Sequence, residues 1–443
     1  MLLTSLRLIK FKCFDDSGDV PLAPLTLIFG RNNTGKSSIL QSLLLLRQTL
    51  DSPEYGPRLN LRGPLYPAGT YSDIVHQHLT KQHVEMRFRL NLPRRSDPVE
   101  LEFKFCSDEP QSPRLIRLKI ASQGVMTLQI RRGVGKGGPY ELVIGGKKLG
   151  GEKEANFRFP VDRLLPLIGH EPPHVGRPSE SRKQSRDLGR EVLEELEAEI
   201  GNLRAVGAFR QQPSRRYEYQ GRMPDVVDSI GKNVVSAIIE DSTRRGRQRG
   251  QLLKSVNRWI EQVGRVRLMP LRRISSSARI FEIRVRDTDS GSWANFADVG
   301  FGIGQAFPVL VEGLRTPPGG IFLVQEPEIH LHPDAQLAMA DFLIDLAISG
   351  KHVLVETHSE HILLRVRHRI VEAKNKARRG TRIDPKMISI IHIDKQKKGT
   401  SRARPLALDE LGRVENWPKD FMGEATEERM AILEDMATLA EPE

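Results

Sequence analysis

Residues 30–37 read GRNNTGKS, and the fold turns on how this octapeptide is read. It satisfies G-x-x-x-x-G-K-[ST] at every constrained position: Gly30, Gly35, Lys36 and Ser37. Glycines let the backbone curl until successive N–H groups converge on phosphate oxygens. Lys36 can then reach β- and γ-phosphates, and the Ser37 hydroxyl can sit on Mg²⁺. The flanks agree with that reading. LTLIF (25–29) is a short apolar strand pattern, and SILQSLLLLRQTL (38–50) is rich in helix formers and long enough for several turns. This order puts a helix N-terminus, with its positive dipole end, under the phosphates. A second stretch, GVGKGG (133–138), lacks the spacing and the following Ser/Thr, and reads as a hairpin turn.

At 443 residues the chain can bury a large core and divides into two lobes or a domain with an insertion. No apolar run reaches the roughly 18 residues needed to cross a bilayer, so no membrane association is expected. The opening MLLTSLRLIKFKCF has no signal-peptide pattern and reads as a first β-strand. Cys13 and Cys106 offer neither a disulfide framework nor zinc spacing, which fits a cytoplasmic protein. The net charge of +12 is unevenly placed. Thirteen Lys/Arg face two acidic residues between Arg244 and Arg286, whereas eleven acidic residues face three basic ones between Asp409 and Glu443. The basic block, with TRRGRQRG (243–250) and RVRLMPLRR (265–273), is a solvated face or a nucleic-acid surface. With 6% aromatics, phosphate-backbone binding to duplex DNA is favoured over base stacking.

Along the chain, HVEMRFRLNL (83–92) and VELEFKF (99–105) alternate as half-buried strands do. HEPPHVGRPSESRKQS (170–185) reads as a polar linker. A helix follows over 187–203, with Leu188, Val192, Leu193, Leu196 and Ile200 at helical spacing. A second helical stretch spans roughly Pro224 to Val263 and ends in a stripe of Leu253, Val256, Trp259, Ile260 and Val263 suited to helix packing. Neither an extended heptad pattern nor an internal repeat is visible. FEIRVRD (281–287) returns to strand-like alternation. IFLVQEP (321–327), HVLVETHS (352–359) and ISIIHID (388–394) are apolar strands, with the helical DAQLAMADFLIDLAI between the first two. This alternation predicts an α/β sheet with parallel members and a ligand at the carboxyl ends of its strands.

Phosphoryl transfer to water needs a metal ligand, a group that orients the water and a contact to the γ-phosphate. Gln325 and Glu326 stand at the end of one apolar strand, where a Walker B pair belongs, and Glu326 is the candidate general base. His358, after the next strand, is placed to contact the γ-phosphate. His330 and His332 in EIHLHP lack the further ligands a zinc site needs. Arg210, Arg215 and Arg216 in FRQQPSRRY are either solvated charge or contacts to nucleotide, DNA or a second protomer.

The motifs GRNNTGKS, VGFGIGQAFPVL (299–310), LVQEPEIHLHP (323–333), ETHSEHILLRVR (356–367) and GRVENWPKDF (412–421) occur in that order. Taken together they resemble the RecF/SMC-like branch of the ATP-binding-cassette ATPases, and within it the small prokaryotic ATPases related to the ATPase half of OLD-family nucleases. The resemblance implies an α/β P-loop NTPase of ABC type with a helical insertion. Residues 1–165 would hold the first part of the head, 166–275 the basic helical insertion, and 276–443 the rest of the head with an acidic tail. Gly30 to Ser38 would be Walker A, including Asn32, Asn33, Thr34, Gly35, Lys36 and Ser37. Gln325 and Glu326 would be Walker B, and His358 the switch histidine. ATP and Mg²⁺ would be the cofactors, with Ser37 and Gln325 on the metal. Gly302, Gly304 and Gln305 would form a signature loop that reaches the γ-phosphate of a partner in a head-to-tail homodimer. GTYSDIVHQH (69–78) lies where such ATPases carry the Q-loop.

Two positions depart from that pattern. Gln325 stands where an aspartate is usual, and Gly302 where the signature has serine. ATP binding is expected to survive both, with slow hydrolysis coupled to a conformational switch. Two functions compete: a dimeric ATPase that engages duplex DNA in repair or antiviral defence, and an ATP-gated scaffold that recruits a separate effector nuclease. A transporter motor is disfavoured by the degenerate signature and the basic segment. IHIDKQKKG lacks the paired D-x-D of a Toprim nuclease, so no intrinsic nuclease activity is expected.

Overall fold

The apolar runs around the glycine loop are near-continuous, the pattern of strands covered on both faces. In the computed structural model they build a six-stranded sheet, ordered Arg204–Val206, Ile321–Gln325, His352–Glu356, Leu25–Gly30, Ile388–Lys395, Ser401–Leu406. Neighbours are parallel except the last pair. The structure describes residues 3–52, 57–107, 113–122, 125–132, 140–151, 157–158, 164–168, 180–221, 229–246, 248–275, 279–374, 383–396 and 399–418.

Successive side chains on a strand point to opposite faces, so this sheet feeds two cores. Ile28, Leu323, Leu354 and Ile391 enter the first; Leu27, Phe29, Phe322, Val324, Val353 and Val355 enter the second. Over the first face lie helices Lys36–Leu50 and Glu180–Gly201 and a nine-stranded antiparallel sheet. That sheet begins with Leu3–Phe11 and includes Val84–Leu90 and Val99–Cys106, the strands expected from alternation. Over the second face lie helices Val234–Thr243, Gln251–Gly264, Phe301–Arg315, Pro333–Ile348 and Glu360–Lys374. The stripe of Val256, Trp259, Ile260 and Val263 is buried there, with Trp259 edge-on to Phe342 at 5.3 Å between centroids. Each such side chain contributes roughly 1.5–3 kcal/mol by leaving water.

Several boundaries differ from the sequence reading. The helix expected from 187 begins at Glu180. ESRKQSR is polar but contains neither proline nor glycine, so nothing local stops a helix that the packing of Leu188 and Val192 already stabilises. Among the described residues the stretch ending at Val263 holds two helices, Val234–Thr243 and Gln251–Gly264, with Gly250 before the second at φ +73°. FEIRVRD splits into Ile280–Glu282 and Arg284–Asp287, which pair in different small sheets. Residues 166–275 also supply Arg204–Val206 to the central sheet beside Ile321–Gln325. GVGKGG and most of the expected linker at 170–179 lie outside the described residues, as does most of the acidic tail. Among the described residues no helix is long and apolar enough to cross a membrane.

Candidate active site

The strand Leu25–Gly30 ends in the glycine loop, and the following helix starts at Lys36, two residues earlier than expected. Gly35 precedes it at φ +100°, and a Cβ there would lie 2.0 Å from Cys13 Sγ, so no other residue fits. No side-chain hydrogen bond caps this helix start, the feature that makes a helix N-terminus a seat for an anion. Asn32 and Asn33 stand exposed at the rim, while Thr34 is buried with its hydroxyl donating to Arg31 O at 2.9 Å. Ser38 is buried beside Cys13. The Lys36 ammonium donates to Gly30 O and Arg31 O, each at 3.0 Å. Burial lowers its pKa, and the carboxylates of Glu356, Glu326 and Glu328 oppose that shift. Three acids therefore surround the lysine.

Those acids come from two adjacent strand ends. Because Ile321–Gln325 and His352–Glu356 pair in register, Gln325 sits directly opposite Glu356. Gln325 Nε2 donates to Glu356 Oε2 at 2.6 Å, and Ser37 Oγ donates to Glu356 Oε1 at the same distance. Glu356 thus joins the glycine loop to the end of the strand Ile321–Gln325. The next residue, Glu326, has φ +44°, a strained conformation for a side-chain-bearing residue, and its N–H donates to Glu356 O at 2.7 Å. Glu328 Oε1 accepts from Thr357 Oγ1 and from the His358 N–H, both at 2.7 Å. Burial raises the Glu328 pKa, and these two donors partly offset it. The His358 ring is held below its ordinary pKa by partial burial, then by Lys36, with Glu326 and Glu356 opposing. Lys36, Glu326 and Glu356 are thus the charges that act on the ring, while Glu328 holds its backbone N–H.

Arg210 holds the cluster from behind. It is buried and donates to four carbonyls: Gly207 O at 2.9 Å, Gln305 O at 3.2 Å, Gln325 O at 2.6 Å and Glu326 O at 3.0 Å. Burial lowers its pKa to about 10, which leaves it charged at neutral pH. Its donors are directed at backbone, which corrects the expectation of a phosphate or DNA contact at this residue. Arg215 forms a two-pronged ion pair with Asp298, at 2.9 and 2.5 Å. Through Gln305 O, Arg210 also ties the end of the strand Ile321–Gln325 to the helix Phe301–Arg315, the expected signature helix.

Gln305 is itself buried, and its side chain points inward to Arg210 O. Gly302 and Gly304 permit close packing. A Cβ on Gly302 would lie 2.3 Å from His330 O, and one on Gly304 2.9 Å from Pro213. At Gly302 any side chain would meet the His330 carbonyl. His330 stacks edge-on against Phe301 at 4.6 Å, and His332 caps the helix Pro333–Ile348 through the Asp334 N–H. In GTYSDIVHQH, residues Tyr71–Ile74 form a short helix, and His76 Nδ1 meets Lys12 O at 2.8 Å.

Glu356 and Arg210 are the site residues that sequence reasoning missed or misplaced. A signal for Glu356 was present: two five-residue apolar strands, IFLVQ and HVLVE, each end in a polar residue.

A largely parallel sheet with a glycine loop of phosphate-binding pattern at its carboxyl edge, an antiparallel sheet on one side and helices on the other make an α/β fold of P-loop type. A family model for an AAA ATPase domain matches residues 232–363, the part carrying the helix Phe301–Arg315, the strand Ile321–Gln325 and His358. No curated protein matches the chain. Similar solved structures include the SmcHead bound to the C-winged helix domain of ScpA, 13% identical over 93% of this chain and 99% of that one, with a TM-score of 0.46. Another is the Pyrococcus furiosus Smc head with an extended coiled coil bound to the C-terminal domain of ScpA, 12% identical over 98% and 99%, TM-score 0.44. The SMC head domain from Thermotoga maritima is 11% identical over 91% and 99%, TM-score 0.39.

Proposed function

We propose that this ATPase is an ATP-gated homodimer that engages duplex DNA, in repair or in defence against foreign DNA. The observation that carries the reading is the convergence of Lys36, Ser37, Gln325, Glu326 and His358 on one edge of the sheet. Lys36 and the helix N-terminus bind the phosphates. Glu326 orients the attacking water, and its strained backbone, fixed by Arg210, sets the direction of its side chain. His358, anchored through its N–H by Glu328, contacts the γ-phosphate.

The donor set fits Mg²⁺: the Ser37 hydroxyl and the strand-end oxygens beside it are hard ligands next to a phosphate seat. When bound, the ion neutralises charge developing on the phosphate oxygens.

Exposed aromatic side chains support the dimer. Phe209, beside Arg210, is 89% exposed, and Phe301, at the start of the signature helix, is 46% exposed. The DNA reading draws on the exposed Arg244, Arg245, Arg249, Lys254, Arg258 and Arg267. Gel shifts on duplex DNA across a salt series, with and without ATP and Mg²⁺, test it. Binding that weakens steeply with salt is expected. An ATP-dependent dimer with no duplex affinity would favour the effector-recruiting scaffold instead.

A further inference from the structure

In P-loop ATPases of this kind a Walker B aspartate helps to hold the metal, and here that position is Gln325, a neutral amide. We propose that Glu356, from the neighbouring strand, supplies the missing carboxylate ligand to Mg²⁺, and that Gln325 is its positioning residue. This deepens the nucleotide reading above and rests on it.

Three observations carry the assignment. First, Glu356 Oε1 lies 2.6 Å from Ser37 Oγ, the other protein ligand the loop provides. The two oxygens share a hydrogen bond, so a Mg²⁺ seated on the Ser37 hydroxyl would have the Glu356 carboxylate as its neighbour. Second, Gln325 Nε2 donates to Glu356 Oε2 at 2.6 Å. The opposite amide orientation would press an amide oxygen against a carboxylate oxygen, so the network fixes the nitrogen on this side. The amide oxygen faces Gly207, where an added Cβ would lie 3.5 Å from it, and so points away from Ser37. Third, Glu356 is 4% exposed, and its backbone is held by pairing on both sides, to Ile321–Gln325 and to Leu25–Gly30. A buried carboxylate needs cationic or hydrogen-bonding partners. Lys36 and two donors serve here, and a divalent ion between Ser37 and the phosphates would complete the set. A hydrogen bond from an outer group that orients a metal ligand is a recurrent device, and Gln325 has that geometry.

The alternative role for Glu356 is counter-ion to Lys36, and the two roles separate experimentally. Mant-ATP affinity is measured in EDTA and in Mg²⁺, and Mn²⁺ affinity by electron paramagnetic resonance with ATPγS present. For Glu356→Gln, mant-ATP binding in EDTA should persist while Mn²⁺ affinity falls about 10- to 100-fold, the range seen when a metal site loses a supporting group. The double variant Gln325→Asp/Glu356→Gln, which moves the carboxylate back to the Walker B strand, should restore most of it. Mn²⁺ affinity within twofold of wild type in Glu356→Gln overturns the assignment. If that variant binds no mant-ATP in EDTA, Glu356→Asp gives the answer. It keeps the charge but shortens the reach, so reduced Mn²⁺ affinity supports the proposal and unchanged affinity contradicts it. A wild-type protein that binds mant-ATP in neither buffer contradicts the nucleotide reading itself.

Discussion

At the carboxyl edge of the central sheet, Lys36, Arg210, Glu328 and Glu356 are each buried, and each is engaged by named partners. Along 244–286, Arg244, Arg245, Arg249, Arg265, Arg267 and Arg286 stand in solvent. Several of these pair loosely with nearby acids, as Arg265 does with Asp289 at 3.5 Å and Arg244 with Glu240 at 3.7 Å. Burying a charge costs several kcal/mol unless it is paired and hydrogen-bonded. Four buried charges beside the half-buried Glu326 at a strained φ are therefore poor design for stability and good design for binding charge. Exposed charges cost almost nothing to keep and contribute about 0–1 kcal/mol per pair. Their meaning lies in the field they make together, which is why composition drew attention to the basic block and geometry draws it to the sheet edge.

The comparison breaks first, and most visibly, at Arg210. Arg210→Ala removes the charged donor that the carbonyls of Gly207, Gln305, Gln325 and Glu326 share, leaving Glu326 O with the Ile329 N–H. It should lower stability by about 3–5 kcal/mol, the scale of losing a buried charged group with several hydrogen bonds. Arg245→Ala in solvent should stay within about 0.5 kcal/mol. Urea unfolding of the two variants side by side reads the contrast, and equal effects would contradict it.

Lys36→Ala should weaken mant-ATP binding at least about 100-fold, because the charge-assisted hydrogen bonds to phosphate disappear. Duplex affinity without nucleotide should not change. A matching fall in DNA binding would mean the two regions act as one surface.

Gly302→Ser asks whether the signature departure is chemical or steric. With a Cβ 2.3 Å from His330 O, the variant should lose about 1–3 kcal/mol of stability and gain no turnover. A faster enzyme of wild-type stability would show that the hydroxyl was what the site lacked.

The smallest effect is expected on the surface. Reversing Arg244, Arg245 and Arg249 to Glu should weaken duplex binding and flatten its salt slope by about 0.9 for each phosphate no longer neutralised. ATP binding should be unaffected. An unchanged slope would return these residues to the role of solvated charge.

Much of this was legible in the sequence because the determinants are local. The loop GRNNTGKS, the apolar strands before it and before Gln325, and the buried stripe ending at Val263 all depend on neighbours within a few turns. Glu356 was not legible as a partner of Ser37 and Gln325. That pairing depends on which strands lie side by side, and the order Ile321–Gln325, His352–Glu356, Leu25–Gly30 is not chain order. Arg210 was misread for a related reason. In FRQQPSRRY it looks like its exposed neighbour Arg215, and only the approach of the strand Ile321–Gln325 and the helix Phe301–Arg315 buries it. The early start at Glu180 was hidden by polarity, which marks linkers and exposed helix faces alike.

The central claim is that Glu326 orients the attacking water in a nucleotide-gated dimer, and Glu326→Gln tests it most directly. The substitution keeps size and hydrogen-bonding capacity and removes the negative charge. Light-scattering chromatography with ATP and Mg²⁺, alongside phosphate release, reads both halves of the claim. The account predicts retained mant-ATP binding, hydrolysis reduced about 100-fold or more, and a dimer that persists with ATP and Mg²⁺ but not without them. A Glu326→Gln protein that hydrolyses ATP at the wild-type rate and elutes at one mass in both buffers would contradict it.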